Sequence, residues 1–146
     1  MEEKQITIAV AIIRNAEGEL LMARRHAPDL PNAHDKWEFI GGGVEFGEDP
    51  KETIIREVME ESGLEVNVTK LFPKVFSEIL QVPGKINLHV IILTYECKVV
   101  GGSLKIGLDA QEEIAELRYL PIEKIKLLDA FKNVHKTIEM LASPND

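Results

Sequence analysis

Three glutamates in the middle of the chain have the spacing of a metal-binding helix face. Glu57, Glu60 and Glu61 lie in the stretch Glu57-Val58-Met59-Glu60-Glu61. At about 100° per residue, an α-helix places all three side chains on one side. Carboxylates this close repel one another, and a hard divalent cation removes that repulsion because it prefers carboxylate oxygens. The alternative explanation of an isolated E-x-x-E-E pattern is a solvated acidic helix face.

The segment that carries these glutamates has clear helix start and stop signals. Asp49 is a good N-cap residue, Pro50 suits the first helical position, and Gly63 suits a left-handed stop. The sequence therefore predicts a helix over Pro50–Ser62. Three apolar residues on its other side are expected to face a core: Ile55, Val58 and Met59.

The other elements are mainly strands. Alternating or β-branched stretches predict strands over residues 6–13, 19–25, 37–40, 64–68, 74–82, 85–99 and 115–119. Turns are predicted at 15–18, Pro83-Gly84 and Gly101-Gly102, and a helical turn at 121–125. Asp129 is expected to cap a last helix with an apolar stripe of Phe131, Val134, Ile138 and Leu141. This order predicts an α/β (α+β) sandwich in which helices cover a mixed β-sheet.

Length and composition restrict the classes of protein. The chain has 146 residues, a net charge of −8, and one cysteine, Cys97, so an internal disulfide is impossible. Such acidity argues against binding to duplex nucleic acid or an anionic membrane, both of which need clustered Lys and Arg. We expect one domain over residues 1–142, a short tail at 143–146, and a cytoplasmic protein without a signal peptide.

The surroundings of the three glutamates resemble a known family signature. Gly42 is followed after five residues by Glu48, and after seven more by Arg56-Glu57-Val58-Met59-Glu60-Glu61-Ser62-Gly63-Leu64. Every defined position matches the Nudix hydrolase pattern G-x5-E-x7-R-E-U-x-E-E-x-G-U, where U is aliphatic. The preceding Trp37-Glu38-Phe39-Ile40-Gly41-Gly42 also looks like the family's usual approach, with Ile40 in place of the common proline.

The resemblance implies a Nudix-type αβα sandwich and hydrolysis of a nucleoside diphosphate linked to another group, with Mg²⁺ or Mn²⁺. It implies that Glu57, Glu60 and Glu61 bind the metal, and Glu57 is also one candidate for the base that accepts the proton of the attacking water. The Gly42 carbonyl is a further expected ligand, since glycine lets the backbone approach a metal closely. Glu48 and Arg56 resemble the family's brace, a charge-assisted bond that orients the ligands.

Residues outside the signature leave alternatives open. Several family members use a downstream acidic residue as ligand or base, and Glu113, then Glu112, occupy that region here. Both are equally explained as surface glutamates. Arg24 or Arg25 could contact phosphate or pair at the surface, and Trp37 could stack on a base or belong to the core.

The resemblance favours a small-molecule nucleotide substrate, and substrate choice lies outside the signature. A minimal chain suggests a MutT-like nucleoside triphosphate pyrophosphatase that releases a nucleoside monophosphate and pyrophosphate. ADP-ribose or nucleotide-sugar hydrolysis is the nearest alternative, followed by a non-catalytic nucleotide sensor and an acidic interaction domain. Homodimers are common in the family, although no segment of this sequence requires one.

Overall fold

Two β-sheets and three helices form the part of the chain that the computed structural model describes, residues 2–82 and 84–143. The strands are β1 (Glu2–Ile13), β2 (Leu20–Arg25), β3 (Trp37–Glu38), β4 (Gly41–Gly43), β5 (Leu64–Leu71), β6 (Phe76–Val82), β7 (Ile86–Gly102) and β8 (Ile114–Leu120). The helices are α1 (Pro50–Ser62), α2 (Ile122–Ile125) and α3 (Lys132–Ala142), with a 3-10 turn at Leu108–Ala110.

The larger sheet is built around β1, whose apolar second half is buried. β1 runs parallel to β7 from the Glu2–Ile86 pair to the Ile13–Cys97 pair, and β4 lies antiparallel on its other side. The long strand β7 also pairs antiparallel with β5 and β6. The sheet is therefore mixed, as predicted. β3, β2 and β8 form a second, antiparallel sheet.

Helices cover both sides of the strands. Because side chains alternate along a strand, β1 contributes to two cores. Ala9, Ala11 and Ile13 pack with the α1 residues Ile54 and Val58. The opposite core contains β1 and β2 side chains with the α3 stripe: Val10, Ile12, Leu20, Met22, Trp37, Val134 and Ile138. This arrangement confirms the predicted α+β sandwich.

Helix α1 has the bounds that its end signals predict. The Asp49 side chain accepts a hydrogen bond from the backbone N–H of Lys51 at 2.8 Å, and Gly63 has a φ of 72°. The predicted buried face was only partly right. Val58 is buried, but Ile55 and Met59 are each 45% exposed. The core contact lies one position earlier, at Ile54, which packs with Ala9, Ala11 and Ile13 of β1.

Two local predictions were wrong because long-range contacts decide those positions. Gly101 and Gly102 do not form a turn, since β7 continues through them and pairs with Glu65 and Leu64 of β5. Asp129 does not cap α3, because the helix begins after Phe131 without a side-chain cap. The Asp129 carbonyl instead accepts a hydrogen bond from Trp37 N–H at 2.9 Å.

Some sequence predictions concern residues outside the described part. Pro83, in the predicted Pro83-Gly84 turn, is one of them. So are residues 144–146 of the predicted tail, and the domain boundary at 142 therefore stays a prediction. None of the described helices is long and apolar enough to span a membrane.

Replacing Gly63 by Ala should destabilise the fold by roughly 1–3 kcal/mol. Its φ of 72° disfavours an L side chain, and a Cβ there would lie 2.6 Å from the Ser103 carbonyl oxygen. Gly18→Ala is a matched control, because Gly18 has a φ of 78° and a Cβ there would meet no atom within 4 Å. Urea unfolding should show the larger loss for Gly63→Ala, and equal losses would contradict a role for the Ser103 contact.

Candidate active site

Arg56, in the second turn of α1, contacts four acidic side chains, of which Glu45 is the most distant, at 3.8 Å from Nη2. Its Nε and Nη2 donate to Glu48 at 2.9 and 3.0 Å, and its Nη1 donates to Glu57 at 2.8 Å. Nη1 also lies 3.5 Å from a carboxylate oxygen of Glu60. The predicted contact between Arg56 and Glu48 is therefore present, and it extends to a glutamate that the sequence assigned to the metal.

Glu48 is held in its charged form by several donors. Thr53 Oγ1 donates to it at 2.6 Å, in addition to the two bonds from Arg56. Hydrogen bonds from Arg56 and then Thr53 lower the pKa of Glu48 to about 2. The same bond with Glu48 raises the pKa of Arg56 above its ordinary value, although burial opposes this shift. The pair is therefore a fixed, charged link between the loop before α1 and the helix.

Glu57 and Glu61 lie one turn apart on α1, and their carboxyl groups are close enough to affect each other's pKa. Burial first, and then the charges of Glu57 and Glu38, raise the pKa of Glu61 to about 9, against a backbone hydrogen bond from Gly41. Burial also raises the pKa of Glu57, against the bond from Arg56. Two carboxyl groups this close ionise together only where positive charge compensates both, and of the two Arg56 contacts only Glu57.

Glu60 lies at the rim of this pair. Its side chain is 53% exposed, compared with 18% for Glu57. Across residues 2–82 and 84–143, no three His, Cys, Asp or Glu side chains converge closely enough to form a preformed metal site. The donor set nevertheless fits a hard cation, because every candidate is a carboxylate and two of them already meet.

The backbone of β4 separates two possible carbonyl ligands. Ala11 N–H donates to the Ile40 carbonyl and Val44 N–H donates to the Thr7 carbonyl. Because hydrogen-bonded pairs alternate along an antiparallel ladder, the Ala9–Gly42 pair between them is also hydrogen-bonded. The Gly42 backbone therefore faces β1, whereas the neighbouring Gly41 backbone faces Glu61. Gly42 also has a packing function, since a Cβ there would lie 2.5 Å from the Cδ atom of Glu57.

An acidic cavity of about 290 Å³ opens beside Glu61. Its wall includes Glu38 and Glu113, whereas Glu112 is exposed and does not line it. Arg25 binds both carboxylate oxygens of Glu38, at 2.7 and 2.8 Å. Burial raises the pKa of Glu38 despite this bond. Of the two downstream glutamates, only Glu113 lines the same cavity as a predicted metal ligand, Glu61.

A second cavity, of about 230 Å³, lies on the α3 side of β1 and β7. Most of its wall is apolar and comes from alternate residues of these strands: Ile6, Ile8, Val10, Leu88, Val90 and Ile92. Arg25 and Glu38 line both cavities, so this ion pair lies at the boundary between them. Asn133 and Glu78 add polar groups to the apolar wall.

The structure also gives the positions of the residues whose roles the sequence left undecided. Arg24 pairs at the surface with Asp35 at 2.7 Å, whereas Arg25 lies at the junction of the two cavities. Trp37 is 8% exposed and belongs to the core. Glu38 was not predicted as a site residue from the sequence. Its position between two aromatic residues expected to be buried, Trp37 and Phe39, could have indicated it.

The structure defines a mixed α+β sandwich with an acidic, arginine-braced site on the helix that follows a glycine strand. The family model for the NUDIX domain matches residues 4–141. The chain therefore belongs to the Nudix family of hydrolases.

Individual proteins support this placement. The 8-oxo-dGTP diphosphatase of Escherichia coli (strain K12) is 42% identical over 73 residues, which cover 49% of this chain and only 54% of that enzyme. The nucleoside triphosphatase NudI of Escherichia coli O17:K52:H18 (strain UMN026 / ExPEC) is 28% identical over 94% of this chain and 96% of its own length. The crystal structure of a MutT protein from Methanosarcina mazei Go1 superposes with a TM-score of 0.72 at 25% identity, covering 97% of both chains.

Proposed function

We propose that this protein is a metal-dependent pyrophosphohydrolase that cleaves nucleoside triphosphates to a nucleoside monophosphate and pyrophosphate. The observation that carries the proposal is the Glu57–Glu61 carboxyl pair: Arg56 binds Glu57, and Glu61 lines an acidic cavity that shares wall residues with an apolar one. A polyanionic substrate cannot bind beside such carboxylates unless cations mediate the contact.

Glu57 and Glu61 are the proposed metal ligands, with Glu60 joining from the rim. The Gly41 carbonyl replaces that of Gly42 as the proposed backbone ligand, because Gly42 is engaged with β1. When bound, Mg²⁺ or Mn²⁺ would acidify a water and neutralise charge on the phosphates. Arg56 and Glu48 hold the ligand carboxylates in position. Glu113 remains a candidate base or further ligand from the far wall of the acidic cavity.

The two cavities suit a nucleotide laid across the Arg25–Glu38 pair. Phosphates would occupy the acidic cavity through metal, and the base would occupy the apolar one, where Asn133 offers an amide. At about 230 Å³, the apolar cavity lies below the ~300–1,000 Å³ of sites that enclose drug-sized ligands, which favours one base over two. Both Escherichia coli relatives described above are named as acting on nucleoside triphosphates or 8-oxo-dGTP.

A substrate panel tests this function. Nucleoside triphosphates, 8-oxo-dGTP, ADP-ribose, GDP-mannose and diadenosine polyphosphates are incubated with and without Mg²⁺ or Mn²⁺, and the products are identified. We expect metal-dependent release of pyrophosphate from triphosphates, with kcat/KM at least about tenfold above that for the sugar nucleotides.

Cleavage of ADP-ribose or sugar nucleotides alone would contradict the triphosphate proposal and support the alternative enzyme class. Nucleotide binding without any turnover in the presence of metal would instead indicate a sensor. Glu65→Gln provides a control, because Glu65 is an exposed carboxylate on β5, away from both cavities.

A further inference from the structure

On the wall of the apolar cavity, one carboxylate has an oxygen without a hydrogen-bond partner in the part of the chain that the structure describes. Glu78 lies on β6, and its Oε1 atom is shielded from solvent and accepts no hydrogen bond from the described residues. Glu78 pairs in register with Val90, and Leu80 pairs with Leu88. All four side chains line the cavity. An acidic group has therefore been placed within a hydrophobic wall.

The surroundings of Glu78 provide no compensating charge. Within the described residues, no Lys or Arg lies in ion-pair distance of it, and the guanidinium of Arg25, which lines the same cavity, is bound on two nitrogens by Glu38. A carboxylate that is partly shielded from water and lacks a donor is costly to a fold. It becomes favourable when a ligand brings N–H donors to it.

We propose that Glu78 determines base specificity by accepting hydrogen bonds from the paired N–H donors of a guanine-type base. This inference rests on the proposed function in taking the apolar cavity as the base site. An ionised carboxylate is only an acceptor. Guanine offers its ring N1–H and its exocyclic 2-amino group side by side, so the two oxygens of one carboxylate can accept both.

The other common bases match a carboxylate poorly. Adenine and cytosine place a ring nitrogen acceptor beside their amino group, and the N3–H of uracil or thymine lies between two carbonyl oxygens. An acceptor facing an acceptor leaves both groups unpaired, which is how a polar site rejects an analogue. Oxidation of guanine at C8 leaves the N1–H and 2-amino group unchanged, so Glu78 would accept both forms.

The test compares ligands that differ by one group. GMP and IMP differ only in the 2-amino group, and their binding is measured by calorimetry without metal. Hydrolysis of GTP and ITP is measured in parallel with Mg²⁺. Wild type is compared with Glu78→Gln and with Glu65→Gln as the matched exposed carboxylate, after thermal unfolding has shown that both variants are folded.

We expect wild type and Glu65→Gln to bind GMP at least about tenfold more tightly than IMP, the range for a hydrogen bond to a charged group. Glu78→Gln should bring this ratio within about threefold by weakening GMP binding. The ratio of kcat/KM for GTP to kcat/KM for ITP should fall in the same way, since a lost interaction with the base weakens both nucleotide binding and kcat/KM.

Other outcomes overturn the inference. If wild type shows no preference for GMP, Glu78 does not determine base specificity. The same conclusion follows if Glu78→Gln keeps the preference, or if it weakens the binding of GMP and IMP equally. Triphosphate hydrolysis in that case would leave the proposed function intact. Conversely, a GMP preference that Glu78→Gln abolishes, in a protein that hydrolyses nothing, would support the inference and contradict the proposed function.

Discussion

Replacing Glu61 by Gln is expected to abolish turnover and at the same time to stabilise the metal-free protein. Loss of a group that only orients metal ligands typically costs 10–100-fold, so loss of a ligand carboxylate should cost about 10³-fold or more in kcat/KM. Glu61 is the more buried partner of the carboxyl pair with Glu57, and Gln keeps its shape without its charge. Initial rates over a range of Mg²⁺ concentrations measure this loss.

The gain in stability follows from the raised pKa of Glu61. Its value of about 9 in the folded protein lies well above the ordinary carboxyl value of 4.5. As the pH rises between these values, the unfolded chain releases the proton while the folded chain retains it, so the native state loses stability. Gln removes that loss, which should raise the metal-free stability by roughly 1 kcal/mol or more at pH 8, and by little at pH 4.

Thermal unfolding in EDTA at both pH values measures this difference. Glu60→Gln is the informative neighbour, because its half-exposed side chain predicts a smaller change in stability. A Glu61→Gln protein that retains turnover would contradict the proposed metal site. A variant that loses both turnover and stability would indicate that Glu61 supports the fold instead.

The local part of this fold was predictable from the sequence. Asp49, Pro50 and Gly63 act within a few residues of themselves, and helix α1 has the bounds they predict. Gly101 and Asp129 were misjudged because their conformations depend on strands far away in the chain. Gly101 pairs with Glu65, and Asp129 contacts the backbone of Trp37. Neither partner can be inferred from neighbouring residues.

The candidate site likewise has a part that was predictable from the sequence and a part that was not. The contact of Arg56 with Glu48 was predictable, since both belong to one contiguous signature. Glu38, Asn133 and Glu78 were not selected, because strand register and the position of α3 bring them to the cavities from separate parts of the chain. The sequence could indicate the chemistry of the acidic centre, whereas the shape of the base cavity required the structure.

Replacing Arg56 by Lys is expected to lower turnover about 10–100-fold at limiting metal, with partial recovery at high metal concentration. Lys keeps the positive charge but lacks the planar fork that binds Glu48 through two nitrogens and Glu57 through a third. The ligand carboxylates would then lose their orientation while the metal ligands themselves remain. The KM for Mg²⁺ should rise more than kcat falls. Arg118→Lys, at an arginine that is 55% exposed and outside both cavities, is the matched control.

A stability profile separates this positioning role from a general loss of folding. The pKa of Glu48 is lowered to about 2 in the folded protein, first by Arg56, so the pair stabilises the native state above the ordinary carboxyl pKa and loses that contribution as the pH falls towards 2. Wild type should therefore be more stable than Arg56→Lys at pH 7, and the two unfolding temperatures should converge on acidification. If KM for Mg²⁺ stays unchanged while kcat falls, Arg56 does not position the ligands. It would then act on the substrate phosphates directly, as the cation on α1 that lies closest to the carboxyl pair.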